Sequence, residues 1–210
     1  MQSLTRQEVN FEGKHYQFTK VPIDLKPAQL PHPPLWYAVP LPEGAAWPAQ
    51  NRINIVCGGP LSRAREITDR YRAEWAAAGN APAMLPLLGI NRFVIVADSD
   101  REAMALGRRA WPSFHKSFMK LWKRYDTQPR FARLPEDFEM LVEHGGGIAG
   151  SPATVRDRVR AMIEEAGANY FISQFSFGDL AQEEVLHSVA LFARDVLPLA
   201  HERLAQAAGG

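Results

Sequence analysis

Apolar positions along the chain fall into short blocks separated by helical stripes, and that alternation predicts the architecture. Leu35-Trp36-Tyr37-Ala38-Val39, Ile53-Asn54-Ile55-Val56-Cys57, Phe93-Val94-Ile95-Val96-Ala97 and Tyr170-Phe171-Ile172-Ser173-Gln174 are short apolar runs of the kind that form buried strands. Ala64, Ile67, Tyr71, Trp75 and Ala78 recur at steps of three and four, which predicts a helix with one apolar stripe. Val155, Val159, Met162, Ile163 and Ala166 predict another, with Ser151 as N-cap, Pro152 in the first turn and Gly167 just past the end. A last helix carries Val185, Val189, Phe192 and Val196, opens with Glu183 and Glu184, and stops at Pro198. Residues 99–125 read as a long helix interrupted or bent at Pro112, and 136–144 as a short one. Before all of these, Pro22, Pro27, Pro31, Pro33 and Pro34 punctuate a loop-like lead-in with a hairpin pattern around Gly13.

Strands alternating with helices imply an α/β fold with parallel strands joined by right-handed crossovers. The expected organisation is one domain over 1–210: an irregular lead-in with a hairpin over 1–34, a strand–helix body over 35–198 and a tail over 199–210. Composition narrows the function. The 210 residues are 46% hydrophobic, enough for a core, and the net charge of +1 lacks the footprint of a nucleic-acid binder. One cysteine excludes a disulfide framework, and no apolar run reaches bilayer-spanning length. The first residues have no apolar signal-peptide core, so the expected compartment is the cytoplasm.

Several motifs lead nowhere. Gly145-Gly146-Gly147-Ile148-Ala149-Gly150 matches a dinucleotide fingerprint in form, but the residues before it look helical, so it reads as a flexible helix–helix connection. His144-Gly145-Gly146-Gly147 is similar to an esterase oxyanion motif, yet no Gly-x-Ser-x-Gly accompanies it. The six histidines lack metal-ligand spacing, so no metal is expected. Asp98 and Asp179 are explained as N-cap or first-turn residues, and no catalytic residue is named.

The carboxyl ends of the strands are the better candidates, because ligands of parallel α/β proteins sit there. They bring forward Val39 and Leu41, then Cys57, Gly58 and Gly59, then Phe175, Phe177 and Gly178. Glycines let backbone amides approach a ligand, and the phenylalanines can pack on a planar ring. Cys57 by itself reads as a small buried hydrophobe.

The run Phe11-Glu12-Gly13-Lys14-His15-Tyr16-Gln17-Phe18 and the segment Pro31-His32-Pro33-Pro34-Leu35-Trp36-Tyr37 resemble the middle of bacterial luciferase-like flavin monooxygenases. Val56-Cys57-Gly58-Gly59-Pro60, Gly150-Ser151-Pro152-Ala153-Thr154-Val155 and Gln174-Phe175-Ser176-Phe177-Gly178-Asp179-Leu180 continue the resemblance in order, over about residues 8 to 198. It implies a (β/α)8 TIM barrel that binds reduced FMN, or in some branches F420, at the strand ends. It also implies a flavin reductase as partner, and O2 with a small organic compound as substrates.

Two departures follow from the same comparison. Where similar proteins carry a Ser-Pro-Glu-Ser-like phosphate turn, this chain has Leu41-Pro42-Glu43-Gly44, which leaves the amides of Gly44 and Ala45 as phosphate candidates. The match also begins at the family's middle, so the four strands correspond to the last four strand–helix units of eight. One face of such a partial barrel lies open, and a homo-oligomer or hetero-oligomer that covers it is expected. The implied function is a flavin-dependent monooxygenase. A non-catalytic flavin-binding or assembly subunit and an F420-dependent oxidoreductase are the alternatives.

Overall fold

Around Gly13 the alternation produces the hairpin it predicts. After a single helical turn, α1 (Gln2–Thr5), strands β1 (Glu8–Glu12) and β2 (Gln17–Pro22) pair antiparallel, with Phe11 opposite Phe18. The Gly13 N–H donates to the Tyr16 carbonyl and closes the turn. A Cβ at Gly13 would lie 2.6 Å from the exposed Phe11 ring, which would have to swing aside. This computed structural model describes residues 2–129 and 134–198. The chain divides into two compact units, Met1–Trp36 with the hairpin and Tyr37–Gly210 with the remainder. The expected tail over 199–210 lies outside the described residues.

The larger unit is an α/β fold around a five-stranded sheet, made of β3 (Trp36–Ala38), β4 (Asn54–Cys57), β5 (Leu88–Val96), β6 (Gly147–Gly150) and β7 (Tyr170–Gln174). The four expected strands are neighbours in the order β3-β4-β5-β7, and β4, β6 and β7 all run parallel to β5. Its helices are α2 (Ala46–Gln50), α3 (Leu61–Ala77), α4 (Asp100–Arg124), α5 (Phe138–Glu143), α6 (Pro152–Ala166) and α7 (Gln182–Leu191). No described helix is long and apolar enough to cross a membrane.

β5 organises this unit. Its even side chains Leu88, Ile90, Val94 and Val96 enter one core with Ile67 and Tyr71 of α3 and Val155 and Val159 of α6. Its odd side chains Phe93 and Ile95 enter a second core with Trp111 of α4, Phe138 and Leu141 of α5, and Phe177. Alternation with period two is what sends neighbouring residues to opposite faces.

Four expectations are corrected. β5 begins at Leu88, not Phe93, since Asn91 and Arg92 interrupt the apolar run without interrupting the pairing. The glycine run is not a flexible connection: Gly147–Gly150 is a buried strand, held by Phe93 N–H to Gly146 O and Ala97 N–H to Gly150 O. Side chains crowd it, with Thr154 2.7 Å from where a Cβ of Gly150 would stand. α4 runs unbroken through Pro112, which sits on its exposed side, so the carbonyl lacking a partner lies toward water. Finally, the second face of the sheet is not wholly open, because the aromatic core of α4 and α5 covers its carboxyl-terminal half. Ala38, Val56, Asn91 and Ile172 remain exposed or half-buried on the rest of it.

The last helix is also rotated from its predicted stripe. Val189 is 38% exposed, while Ser188, Leu191 and Val196 face inward. α7 passes into a π-helical stretch, Phe192–Val196, whose wider turn shifts the face that follows. Ser188 turns inward for a hydrogen bond: its Oγ accepts from Val96 N at 2.8 Å, at the end of β5 beyond the reach of β7. Ser188→Ala is therefore expected to leave a buried N–H unpaired and to cost about 1–3 kcal/mol in urea unfolding. An unchanged midpoint would show that another acceptor replaces Oγ.

Candidate functional site

The inner-facing residues of the strands and the loop after β4 border a cleft of about 590 Å³. Ala38, Val56, Asn91, Phe93 and Gln174 come from four strands, and Gly58, Gly59 and Pro60 from the turn between β4 and α3. Phe114 and Phe118 of α4 form its wall, and His144 and Gly146 close one side. The wall is aromatic: Phe93 meets Phe114 edge-on with centroids 5.0 Å apart, and Phe114 stacks on Phe118 at 5.8 Å. Helical spacing i, i+4 places the last two rings on one face of α4. Asn91 and Gln174 are the neutral polar side chains on the sheet side of the cleft.

Arg92 is the exception to the apolar rule on β5. It is 1% exposed, yet it lines the cleft. Its Nη1 donates to the Asn91 carbonyl at 2.6 Å, whereas Nε and Nη2 have no partner. Burial pulls its pKa down to about 10, with attractions from Cys57 and Glu165 opposing. Burial likewise pushes the Cys57 thiol up to about 11, against the favourable field of Arg92. Cys57 is thus a neutral thiol at physiological pH, fully buried in the core.

The structure separates the residues expected at the strand ends. Gly58 and Gly59 reach the cleft, and Gly59 has the left-handed φ of 77° that glycine allows. Val39, Ala45 and Cys57 point into the core beneath the helices. Leu41 and Gly44 belong to a tight turn in which Gly44 N–H donates to Leu41 O at 3.0 Å. Phe175 is half-buried against Phe192, with centroids 5.2 Å apart. Phe177 is held among Phe93, Trp111, Phe114 and Phe138, a core position rather than a free platform. Gly178, at φ 63°, allows this loop to press on α4: a Cβ would stand 1.9 Å from the Ala110 carbonyl oxygen.

Other polar groups at the rim are structural. Ser99, not Asp98, caps α4 by accepting from Glu102 N. Asp98 instead meets His187 Nε2 at 3.3 Å, and Asp179 faces Arg109 at 3.8 Å. Ser151 stands at the N-cap of α6, but Asp100 does the bonding there, accepting from Ser151 N at 2.6 Å and Thr154 Oγ1 at 3.0 Å. These bonds hold the Asp100 carboxyl below its ordinary pKa. Among the described residues, no group of three or more His, Cys, Asp or Glu side chains is placed to hold a metal. Asn91, Arg92, Phe93, Phe114, Phe118 and Gln174 line the cleft but were not singled out as site residues in the sequence. The available signal was the polar pair Asn91-Arg92 inside an apolar run.

A family model described as "Luciferase-like monooxygenase" matches residues 1–170. Over 94% of the chain there is 32% identity to the uncharacterized protein y4wF of Sinorhizobium fredii, covering 57% of that protein. Over 94% there is also 27% identity to an FMNH(2)-dependent dimethylsulfone monooxygenase of Pseudomonas putida, covering 54% of it. Among solved structures, the monooxygenase RslO1 from Streptomyces bottropensis superimposes with a TM-score of 0.73 at 20% identity, over 94% of this chain and 57% of that one. The chain spans a little over half the length of each.

Cys57 gives the core beneath the cleft floor a chemical test. A folded-state pKa above the ordinary value of 9.0 means that the folded chain holds this proton more tightly than the unfolded chain. The contribution is complete below pH 9 and is lost as pH rises toward about 11. Iodoacetamide at pH 8 is expected to label Cys57 only as the protein unfolds. The stability difference between wild type and Cys57→Ala should shrink from pH 9 to 11, and a difference growing over that range would contradict the assignment.

Proposed function

The chain belongs to the luciferase-like monooxygenase family, and on that premise we propose that it forms one side of an oxygenase site using reduced FMN supplied by a separate reductase. The observation that carries this reading is the aromatic cleft on the inner sheet face, open along the Gly58-Gly59 turn. Its fit to a flavin is uneven. Phe93, Phe114 and Phe118 offer a wall to a planar ring, and the two glycines let backbone approach it. The Leu41–Ala45 turn suits a phosphate poorly, since Gly44 N–H is spent on Leu41 O and Ala45 is fully buried.

Reduced FMN, when bound, supplies the electrons that activate O2. The protein's share is placement and dryness. Phe93, Phe114 and Phe118 exclude water from one side of the reacting space. Asn91 and Gln174 can each donate and accept hydrogen bonds without carrying charge, which orients a polar atom of a small organic substrate. Ala38, Val56 and Ile172 need a cover, which on this reading is the other half of the barrel or a partner chain.

Titrating the purified chain with FMN, oxidised and then anaerobically reduced, is expected to change flavin fluorescence or absorbance saturably below about 100 µM, a range covering micromolar affinity. No change in either redox state would reject a flavin site on this chain. Flavin bound without reductase-dependent oxygen consumption would assign it the role of a holder or assembly subunit.

A further inference from the structure

Two free carboxamides face the cleft from neighbouring strands. Gln174 of β7 stands opposite Phe93 in the parallel register, and Asn91 of β5 is one diagonal step away on the same face. Strand spacing and rise set the two Cα atoms about 8 Å apart, so both side chains can reach one atom of a ligand between them. The Asn91 carbonyl is engaged by Arg92, but among the described residues neither side-chain amide has a hydrogen-bond partner. Each carries two N–H donors, and a carbonyl-type oxygen with two lone pairs can accept one from each.

Charge is kept out of the same space. Among the described residues no Asp, Glu or Lys lines the cleft. Arg92 is an even-numbered residue of β5 like Ile90 and Val94, and its buried guanidinium lies in the field of Cys57 and Glu165 on the helical side of the sheet. His144 is exposed at the cleft's edge, where water and salt screen any charge. A ligand bearing a full charge would therefore leave water without gaining a counter-charge, a cost that a neutral ligand does not meet. The remaining wall supplies apolar shape: Phe93, Phe114, Phe118 and Leu134 are half-buried, which leaves part of each side chain open to a ligand.

We propose that the cleft takes an uncharged, ring-bearing organic compound with a carbonyl-type acceptor oxygen. The ring lies against Phe114 and Phe118, and the oxygen sits between the Asn91 and Gln174 carboxamides. Aromatic faces and edges hold the ring, and the two amides fix its orientation. Calling this compound the oxygenase substrate rests on the function proposed above, whereas its binding to this chain does not.

The experiment is titration of the full chain with acetophenone, ethylbenzene, benzoate or benzylammonium, followed by nitrogen–proton NMR spectra that include the two side-chain amides. Acetophenone is expected to bind about fivefold more tightly than ethylbenzene, which lacks the oxygen, and at least about tenfold more tightly than either ion. Asn91→Leu and Gln174→Met, both close in shape to the native residues, should each bring acetophenone toward ethylbenzene while leaving ethylbenzene unchanged. A purely structural role would weaken both compounds alike. Phe118→Ala should weaken both, through lost ring contact. Benzoate or benzylammonium binding as tightly as acetophenone overturns the proposal. So does an acetophenone affinity unchanged in both carboxamide variants, or no binding by either neutral compound. Saturating FMN separates this result from the flavin reading. An acetophenone affinity that FMN leaves unchanged or improves supports a substrate cleft, and competition gives the wall to the flavin ring and overturns the substrate assignment. Where FMN does not bind, the flavin reading fails while the four titrations still decide the cleft.

Discussion

Everything in the larger unit depends on the register of β5. It pairs with β4 and β7 along its first half and with β6 along its second, and its alternate side chains feed two separate cores. A slip of one residue would send Leu88, Ile90, Val94 and Val96 to the aromatic side and Phe93 and Ile95 to the helical side. Side chains fasten both ends of the strand where strand partners run out. Asn169 Oδ1 accepts from Leu88 N at 2.6 Å, and Ser188 Oγ accepts from Val96 N at 2.8 Å. Two polar side chains thus do what a longer neighbouring strand would otherwise do.

The cleft lies where that regular pattern is interrupted. β4 ends opposite Ile90 and β6 begins opposite Phe93, so Asn91 lies between two neighbours. The Arg92 guanidinium donates to its carbonyl, while β7 pairs with Asn91 on the other edge. The same gap exposes the Asn91 side chain, opens the Gly58-Gly59 turn and brings Arg92 to the cleft wall. A charged residue at a core position of a central strand is costly to stability.

Family membership and geometry agree on an α/β sheet of parallel strands with a cleft on its inner face. In the Leu41–Ala45 turn the fold itself consumes the Gly44 amide, which donates to the Leu41 carbonyl. The half-length match and the partly uncovered inner face carry a common physical consequence. Ala38, Val56 and Ile172 are apolar groups on a sheet face that a closed barrel would bury.

By itself, the sequence determined the elements whose signal is local. Short apolar runs marked β3, β4 and β7, and apolar stripes at helical spacing marked α3 and α6. Gly167 was placed past the end of α6, where it takes φ 59°. The ordered segments carried the family as well. Only tertiary structure decided the rest, because those features rest on contacts between residues far apart in the chain. Gly147–Gly150 is a strand because β5 offers it an edge, and Ser188 faces inward because Val96 needs an acceptor. Phe177 is core rather than platform because α4 folds its aromatic rings over the sheet. The cleft itself joins residues from Ala38 to Gln174, and no local pattern marks a site whose walls meet only after the strands have been laid side by side.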